Sequence, residues 1–262
     1  MQKTMKKVAL ITGASSGIGR ELALIHAENG GDLIIVARDE AKLLELKTEI
    51  EAKYNTQVMV LAKDLSADSA PQEVYDAIKA AGLEVDYLMN NAGFGGYGLF
   101  HERPWEEDRE MIMLNIMALT ALTRLFLPDF VQRKSGRILH TSSTAGRLPG
   151  PLQAVYFATK AYVNSFGNAL AQEVKGTGVT VTNLLPGPVQ TGFISRAGMG
   201  KSSMFKNAAS AQKVASDGYK AMMAGKLEVV SGLSIGNRIL SFFLPFFPKR
   251  MVLKQVQKMQ QL

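Results

Sequence analysis

Short apolar runs alternate along most of this chain with longer amphipathic stretches, and that alternation leaves few folds open. Val8–Thr12 reads as a strand, and Gly17–Asn29 as a helix with Ile18, Leu22 and Ile25 on one face. Asp32–Ala37 is a second apolar run, followed by a helix over Glu40–Tyr54. Gln57–Leu61, Tyr87–Asn90, Arg137–Thr141, Thr180–Leu184 and Lys226–Val230 read as the remaining strands. Strands that are apolar on both sides must be covered on both, which indicates a parallel sheet between two layers of helices. The expectation is one α/β domain over residues 1–262, three-layered and doubly wound, with a mainly parallel seven-stranded sheet. Ligands of such a fold bind at the carboxyl ends of the strands.

Charge and composition narrow the ligands. The net charge of +7 suits anionic partners such as phosphorylated cofactors, acyl thioester carriers or lipid surfaces. The lysines are scattered rather than gathered into a stripe with interleaved aromatics, which argues against nucleic acid. There are no cysteines, so disulfides and thiolate metal sites are excluded; a reducing, cytoplasmic setting and no metal site are expected. The basic and then apolar start breaks at Gly13 without a cleavage pattern and reads as the first strand. No stretch is expected to have the length of a membrane span.

The first strand runs into Thr12-Gly13-Ala14-Ser15-Ser16-Gly17-Ile18-Gly19, and a helix follows. Glycines at this junction let the backbone approach a pyrophosphate, whose charge then faces the helix N-terminus. A glycine turn that closes the first strand and opens the first helix points to dinucleotide binding. An acidic side chain at the end of the second strand would bond the adenosine ribose hydroxyls of NAD. Here the chain has Arg38, whose planar fork can pair with a 2′-phosphate, so NADP(H) is the expected cofactor. The competing reading is a surface arginine bridged to Asp39.

Tyr156 and Lys160 lie one helical turn apart, and Ser143 lies 13 residues before the tyrosine. On one helix face the ammonium can stabilise a phenolate and lower the tyrosine's affinity for its proton. A serine hydroxyl arriving from a preceding strand can hold the oxygen that receives that proton. This is an acid/base site for a carbonyl or an alcohol, provided that a hydride donor lies nearby. The spacing alone is weak: Tyr75 and Lys79 repeat it, with Ala62 where the serine should be. Ser142 competes with Ser143, but the interval to Tyr156 favours Ser143.

With these motifs in order, residues 5–193 resemble the short-chain dehydrogenase/reductase family, whose domain is of the Rossmann type. The resemblance implies that Asp64-Leu65 contact adenine and that Asn91, Ala92 and Gly93 close the fourth strand beneath the cofactor. It implies that Pro186, Gly187, Val189 and Thr191 hold the nicotinamide carboxamide, and that Tyr156 and Lys160 also touch the cofactor. Asn115 matches the helix asparagine of a catalytic tetrad with Ser143, Tyr156 and Lys160; it would hold a water that connects Lys160 to solvent. Tyr156 would then act as general acid in reduction and general base in oxidation.

Residues 190–209 have the length and composition of a substrate lid, and Phe193, Met199, Met204 and Phe205 there suggest an apolar substrate portion. Phe94-Gly95-Gly96-Tyr97-Gly98 reads as a second flexible loop on the same rim. His101 is a lone loop histidine, and His140 and Tyr162 read as core or surface residues. Residues 237–262 form an amphipathic helical extension opened by Pro248, with Val252, Val256 and Met259 on one side and Arg250, Lys254 and Lys258 on the other. Such a helix can pack on the fold or on a neighbouring subunit of a homodimer or homotetramer, cover the substrate cleft, or lie on an anionic membrane. Packing or an oligomer contact is the favoured expectation. The pattern resembles bacterial members of unassigned substrate, related to enzymes that reduce steroid ketones and 3-oxoacyl thioesters. The expectation is a ketone/alcohol oxidoreductase on an apolar or acyl substrate, with 3-oxoacyl thioester reduction as the narrower alternative. A non-catalytic NADPH-binding sensor or scaffold is the alternative of another class.

Overall fold

The computed structural model describes residues 6–191, 208–234, 236, 243 and 247–260. The strands are β1 (Val8–Thr12), β2 (Asp32–Ala37), β3 (Val58–Ala62), β4 (Tyr87–Asn90), β5 (Gly136–Thr141), β6 (Val179–Pro186), β7 (Val189–Gln190), β8 (Ala209–Ser210) and β9 (Glu228–Ser231). Seven of them form one sheet in the order β3-β2-β1-β4-β5-β6-β9, and every neighbouring pair in it is parallel. The short strands β7 and β8 pair separately. The expected strands are all present, with ends displaced by one or two residues.

Alternation along the strands feeds two cores. Ala9 and Ile11 of β1 face helices α1 (Gly17–Glu28) and α2 (Glu40–Lys53), through Leu22, Leu43 and Ile50. Leu10 faces the other way, toward α3 (Ala70–Ala80) and the long helix that precedes β5, through Val74, Phe126 and Phe130. Each of these side chains is almost wholly buried, which stabilises the fold by roughly 2–3 kcal/mol apiece. β1 pairs with β2 on one side and β4 on the other, so the chain order reverses there and a crevice opens at the strand ends.

That long helix is continuous over Trp105–Arg133 and has three parts: α4 (Trp105–Ile112), a π-helical stretch over Met113–Ala118, and α5 (Leu119–Arg133). Contrary to the sequence expectation, it is long and apolar enough to cross a membrane by length and composition. Its hydrophobicity has a local cause, since Leu119, Leu122, Phe126 and Phe130 are buried against the sheet. Helix α6 (Ala154–Glu173) lies on the same side, and α7 (Ala211–Met223) packs on α1 opposite.

The Phe94–Gly98 segment departs from the flexible loop expected. Arg103 donates to the Tyr97 carbonyl (3.1 Å) and to Asp108 (2.9 Å), while Gly98 N–H donates to the Leu152 carbonyl (2.9 Å). A Cβ at Gly96 would meet the Arg103 guanidinium at 2.1 Å, so the glycine is what lets the fork lie flat against the loop. Asp108 is 2% exposed, and truncating Arg103 strands its carboxylate. Arg103→Ala is therefore expected to cost about 3 kcal/mol, read from denaturant unfolding; a loss below ~1 kcal/mol would refute the clamp.

Helix α8 (Lys249–Gln260) follows Pro248 as expected, but its buried face is Val252, Val256 and Gln260. Met259, expected inside, is 53% exposed. The helix packs through Val252 and Val256 on Phe157, with Ala145, Leu148 and Tyr156 around them, so it covers part of the cleft. Residues 192–207, which hold Phe193, Met199, Met204 and Phe205 of the expected lid, lie outside the described residues, as does most of 237–246.

Candidate active site

A cleft of about 580 Å³ runs from the glycine turn past Tyr156 to α8. All of the expected cofactor residues line it except Gly19. Gly19 lies beneath the turn: a Cβ there would meet the Gly13 carbonyl oxygen at 2.3 Å. Gly13 and Gly17 have φ of +67° and +56°, a region side chains seldom adopt. Helix α1 begins at Ser16 with no side-chain cap and no acidic residue in its first turn, so its first N–H groups stay available to an anion. Thr12 ties this turn to the next strand end: its Oγ1 accepts from Asn91 N–H and Ala92 N–H, both at 2.9 Å. A tight backbone, an open helix N-terminus and a long crevice fit a dinucleotide.

At the far end of β2, Arg38 pairs with Glu110 and Asp64 rather than with Asp39. Its Nη1 lies 3.1 Å from Glu110 of α4 and 3.7 Å from Asp64. Asp39 instead caps α2, accepting from Lys42 N–H, and pairs with the Lys42 ammonium at 2.7 Å. Lys42 and Lys63 line the same end of the cleft, and sequence reasoning missed both. Lys63 in turn pairs with Glu73 at 2.6 Å, so each of the three cations on this rim is held by a carboxylate.

The acid/base groups meet as expected. Ser143 lies two residues beyond β5, and its Oγ accepts from Ala145 N–H (3.0 Å) and is hydrogen-bonded with Tyr156. Ser142 is diverted, because its hydroxyl donates to the Lys160 carbonyl at 3.0 Å. The Lys160 ammonium donates to the Thr141 carbonyl (2.9 Å) and sits 5.9 Å from the Tyr156 ring centroid. Burial sets both proton affinities. It pushes the phenol up to about 12, against the Ser143 hydrogen bond, and draws the ammonium down to about 8. The sequence argument had Lys160 lowering the tyrosine; desolvation of both groups is the larger effect here.

Asn115 stands behind the cleft rather than in its wall. Its Nδ2 donates to the Phe94 carbonyl (2.9 Å) and Thr159 Oγ1 (3.1 Å), and its Oδ1 accepts from Phe94 N–H (3.1 Å). Both amide hydrogens are thus committed to protein, and the side chain pins Gly93–Phe94 beside Lys160. The π turn supplies the extra residue that aims it inward. The competing pair Tyr75 and Lys79 is remote, with both side chains engaging Asp129 of α5. His101 is exposed, while Tyr162 stacks on Phe166 and bonds Thr120.

The substrate half of the cleft was the least visible in sequence. Leu114, Leu148, Gln153, Phe157, Leu233 and Val256 line it. They come from separate elements and carry no linear motif.

Comparison with known proteins follows this geometry. The short chain dehydrogenase family profile matches residues 7–201. A very-long-chain 3-oxoacyl-CoA reductase of Rattus norvegicus is 37% identical over 184 residues, 68% of this chain but 58% of that protein, so the match spans less than two-thirds of the relative's length. Among solved structures, a short-chain dehydrogenase from Sphingobium yanoikuyae in complex with NADPH is similar with a TM-score of 0.82 and 29% identity, over 90% of this chain and 92% of that one. A bulky-bulky ketone specific alcohol dehydrogenase from Comamonas testosteroni is similar with a TM-score of 0.79 and 26% identity, over 90% of each. With the glycine turn, the strand order and the Ser143–Tyr156–Lys160 constellation in place, these matches identify the chain as a member of the short-chain dehydrogenase family.

Proposed function

We propose that this protein is an NADP(H)-dependent oxidoreductase that interconverts a ketone and a secondary alcohol on a largely apolar or acyl substrate. The observation that carries this is the half-buried Tyr156 beside the buried Lys160, with Ser143 on the phenol, in a cleft continuous with the glycine turn. Bound nicotinamide supplies or accepts the hydride. Tyr156, protonated across the neutral range, gives its proton to the substrate oxygen in reduction. Ser143 Oγ holds that oxygen and stabilises the charge developing on it. Lys160 carries the proton that restores the phenol, and Asn115 keeps the Gly93–Phe94 backbone against it.

A narrower reading, reduction of a 3-oxoacyl thioester, is supported by what the named rat relative acts on and by the chain's positive charge. A cofactor-binding module without chemistry has no use for this pair. One Rossmann-type domain would carry the whole reaction, in a cytoplasmic homodimer or homotetramer. Exposed Met117 and Tyr162 on adjacent helices support self-association, and the absence of cysteine supports a reducing compartment. Val252 and Val256 are buried against the cleft, which supports packing of α8 on the fold over a membrane contact.

A carbonyl panel followed by NADPH absorbance tests the activity: tight NADPH binding with no turnover on any ketone or 3-oxoacyl thioester would leave only the binding-module reading. For the cofactor, Arg38→Ala is expected to weaken NADPH by about 10-fold to 100-fold while NADH binding changes little. An unchanged NADPH affinity, with NADH preferred by the wild type, would remove the NADP assignment.

A further inference from the structure

The inner face of α8 is apolar where it meets the cleft, with one exception. Val256 packs beside Tyr156 and Phe157. One turn further on, about 6 Å along the axis, Gln260 is 1% exposed, and its Oε1 has no hydrogen-bond partner among the described residues. Both residues line the cleft. Among the described residues with an unpartnered buried side-chain atom, only Thr141 of β5 shares that position. Native structures keep few such orphans, because each forfeits its hydration. An unpaired amide oxygen in a mainly apolar substrate wall, where the other amide, Gln153, already bonds the Gly96 carbonyl, marks a group that waits for a ligand.

We propose that Gln260 is a specificity-determining residue that pairs with the amide of a pantetheine-type arm on an acyl thioester substrate. This rests on the thioester reading given above. An amide is the natural partner, since a glutamine side chain offers one acceptor and one donor group that match those of another amide. The terminal torsion of glutamine turns freely enough to present either group to the cleft. The reach is right as well. The first amide of such an arm lies roughly six bonds from the carbonyl carbon that is reduced, on the order of 7 Å when extended. That matches the one-turn step from Val256, against Tyr156, to Gln260. On the outside, α8 exposes Lys249, Arg250, Lys254 and Lys258 and contains no acidic residue, which suits the phosphorylated end of the carrier.

The test compares two 3-oxooctanoyl thioesters, one of N-acetylcysteamine, which keeps the amide, and one of pentanethiol, which replaces it with methylenes. The wild type is expected to prefer the amide-bearing substrate by about 10-fold or more in kcat/KM. In Gln260→Leu and in the length-matched Gln260→Met that ratio should fall toward one, with a melting temperature equal to or above the wild type's, because an unsatisfied polar group has been removed. An unchanged ratio overturns the inference and leaves the thioester reading standing. Destabilisation of both variants assigns Gln260 a structural role and overturns it too. If neither thioester is reduced while a simple ketone is, the thioester reading falls and takes the inference with it.

Discussion

Tyr156→Phe is expected to lower kcat by about 10³-fold to 10⁴-fold while NADPH affinity stays within about twofold. The phenylalanine keeps the ring that Phe157 meets edge-on at 6.1 Å between centroids, so the wall of the cleft survives. What disappears is, among the described residues, the one group that combines a transferable proton with a hydrogen bond to Ser143 and an adjacent ammonium. Ser143 cannot replace it, because a hydroxyl of far higher pKa is a poor acid, and Lys160 is turned toward the Thr141 carbonyl. Fluorescence titration of NADPH and steady-state turnover on the best substrate separate the two effects. Activity within tenfold of wild type would remove Tyr156 from the chemistry and the mechanism with it.

How far the sequence foretold this site depends on where each contact comes from. Strands buried on both faces are largely apolar, so β1 and β2 announced themselves as near-continuous runs, and the sheet followed. Ser143, Tyr156 and the glycine turn are local motifs with fixed spacing, and the fold brings each of them to the cleft. Arg38 was legible as a cation at the end of β2, but its pairing with Glu110 was not, since 72 residues separate them and only the closed sheet brings α4 over that rim. Met259 was expected to share the side of Val252 and Val256, and position 260, which the sequence reading did not single out, takes that place instead. Hydrophobicity places methionine inside and glutamine outside, whereas helical register with Val252 and Val256 places position 260 inside. At a cleft wall the register prevails, because the neighbour is a ligand site rather than a packed core.

The second large expected effect is loss of stability in mild acid, and its source is His140. The ring is fully buried on β5, three residues before Ser143, and burial draws it down to about 3 from the ordinary value of 6.5. The hydrogen-bond chain around it has a fixed polarity. Thr123 donates its hydroxyl proton to the Leu119 carbonyl (2.7 Å), so its oxygen must accept from Asn90 Nδ2 (3.0 Å), and that same amide nitrogen faces His140 Nδ1 at 3.3 Å. Nδ1 is therefore an acceptor, and protonation would set donor against donor in a dry core. His26, also buried and with burial again the main cause, is lowered in the same direction. The sign follows from proton counting. Between pH 6.5 and about 3 the unfolded chain binds a proton on His140 that the folded chain does not, so stability is full above 6.5 and falls as pH drops. Across that whole window the loss attributable to His140 is roughly 4–5 kcal/mol, of which about 1–2 kcal/mol should be gone by pH 5.5. Urea unfolding at steps from pH 7.5 to 5.5 should show the wild type taking up about one proton from His140 on unfolding at the acid end, with His26 adding in the same direction. His140→Gln, which cannot titrate, should take up about one fewer and so lose stability less steeply, whatever its stability at pH 7.5. Equal slopes for the two proteins would mean that His140 is not held neutral by the fold.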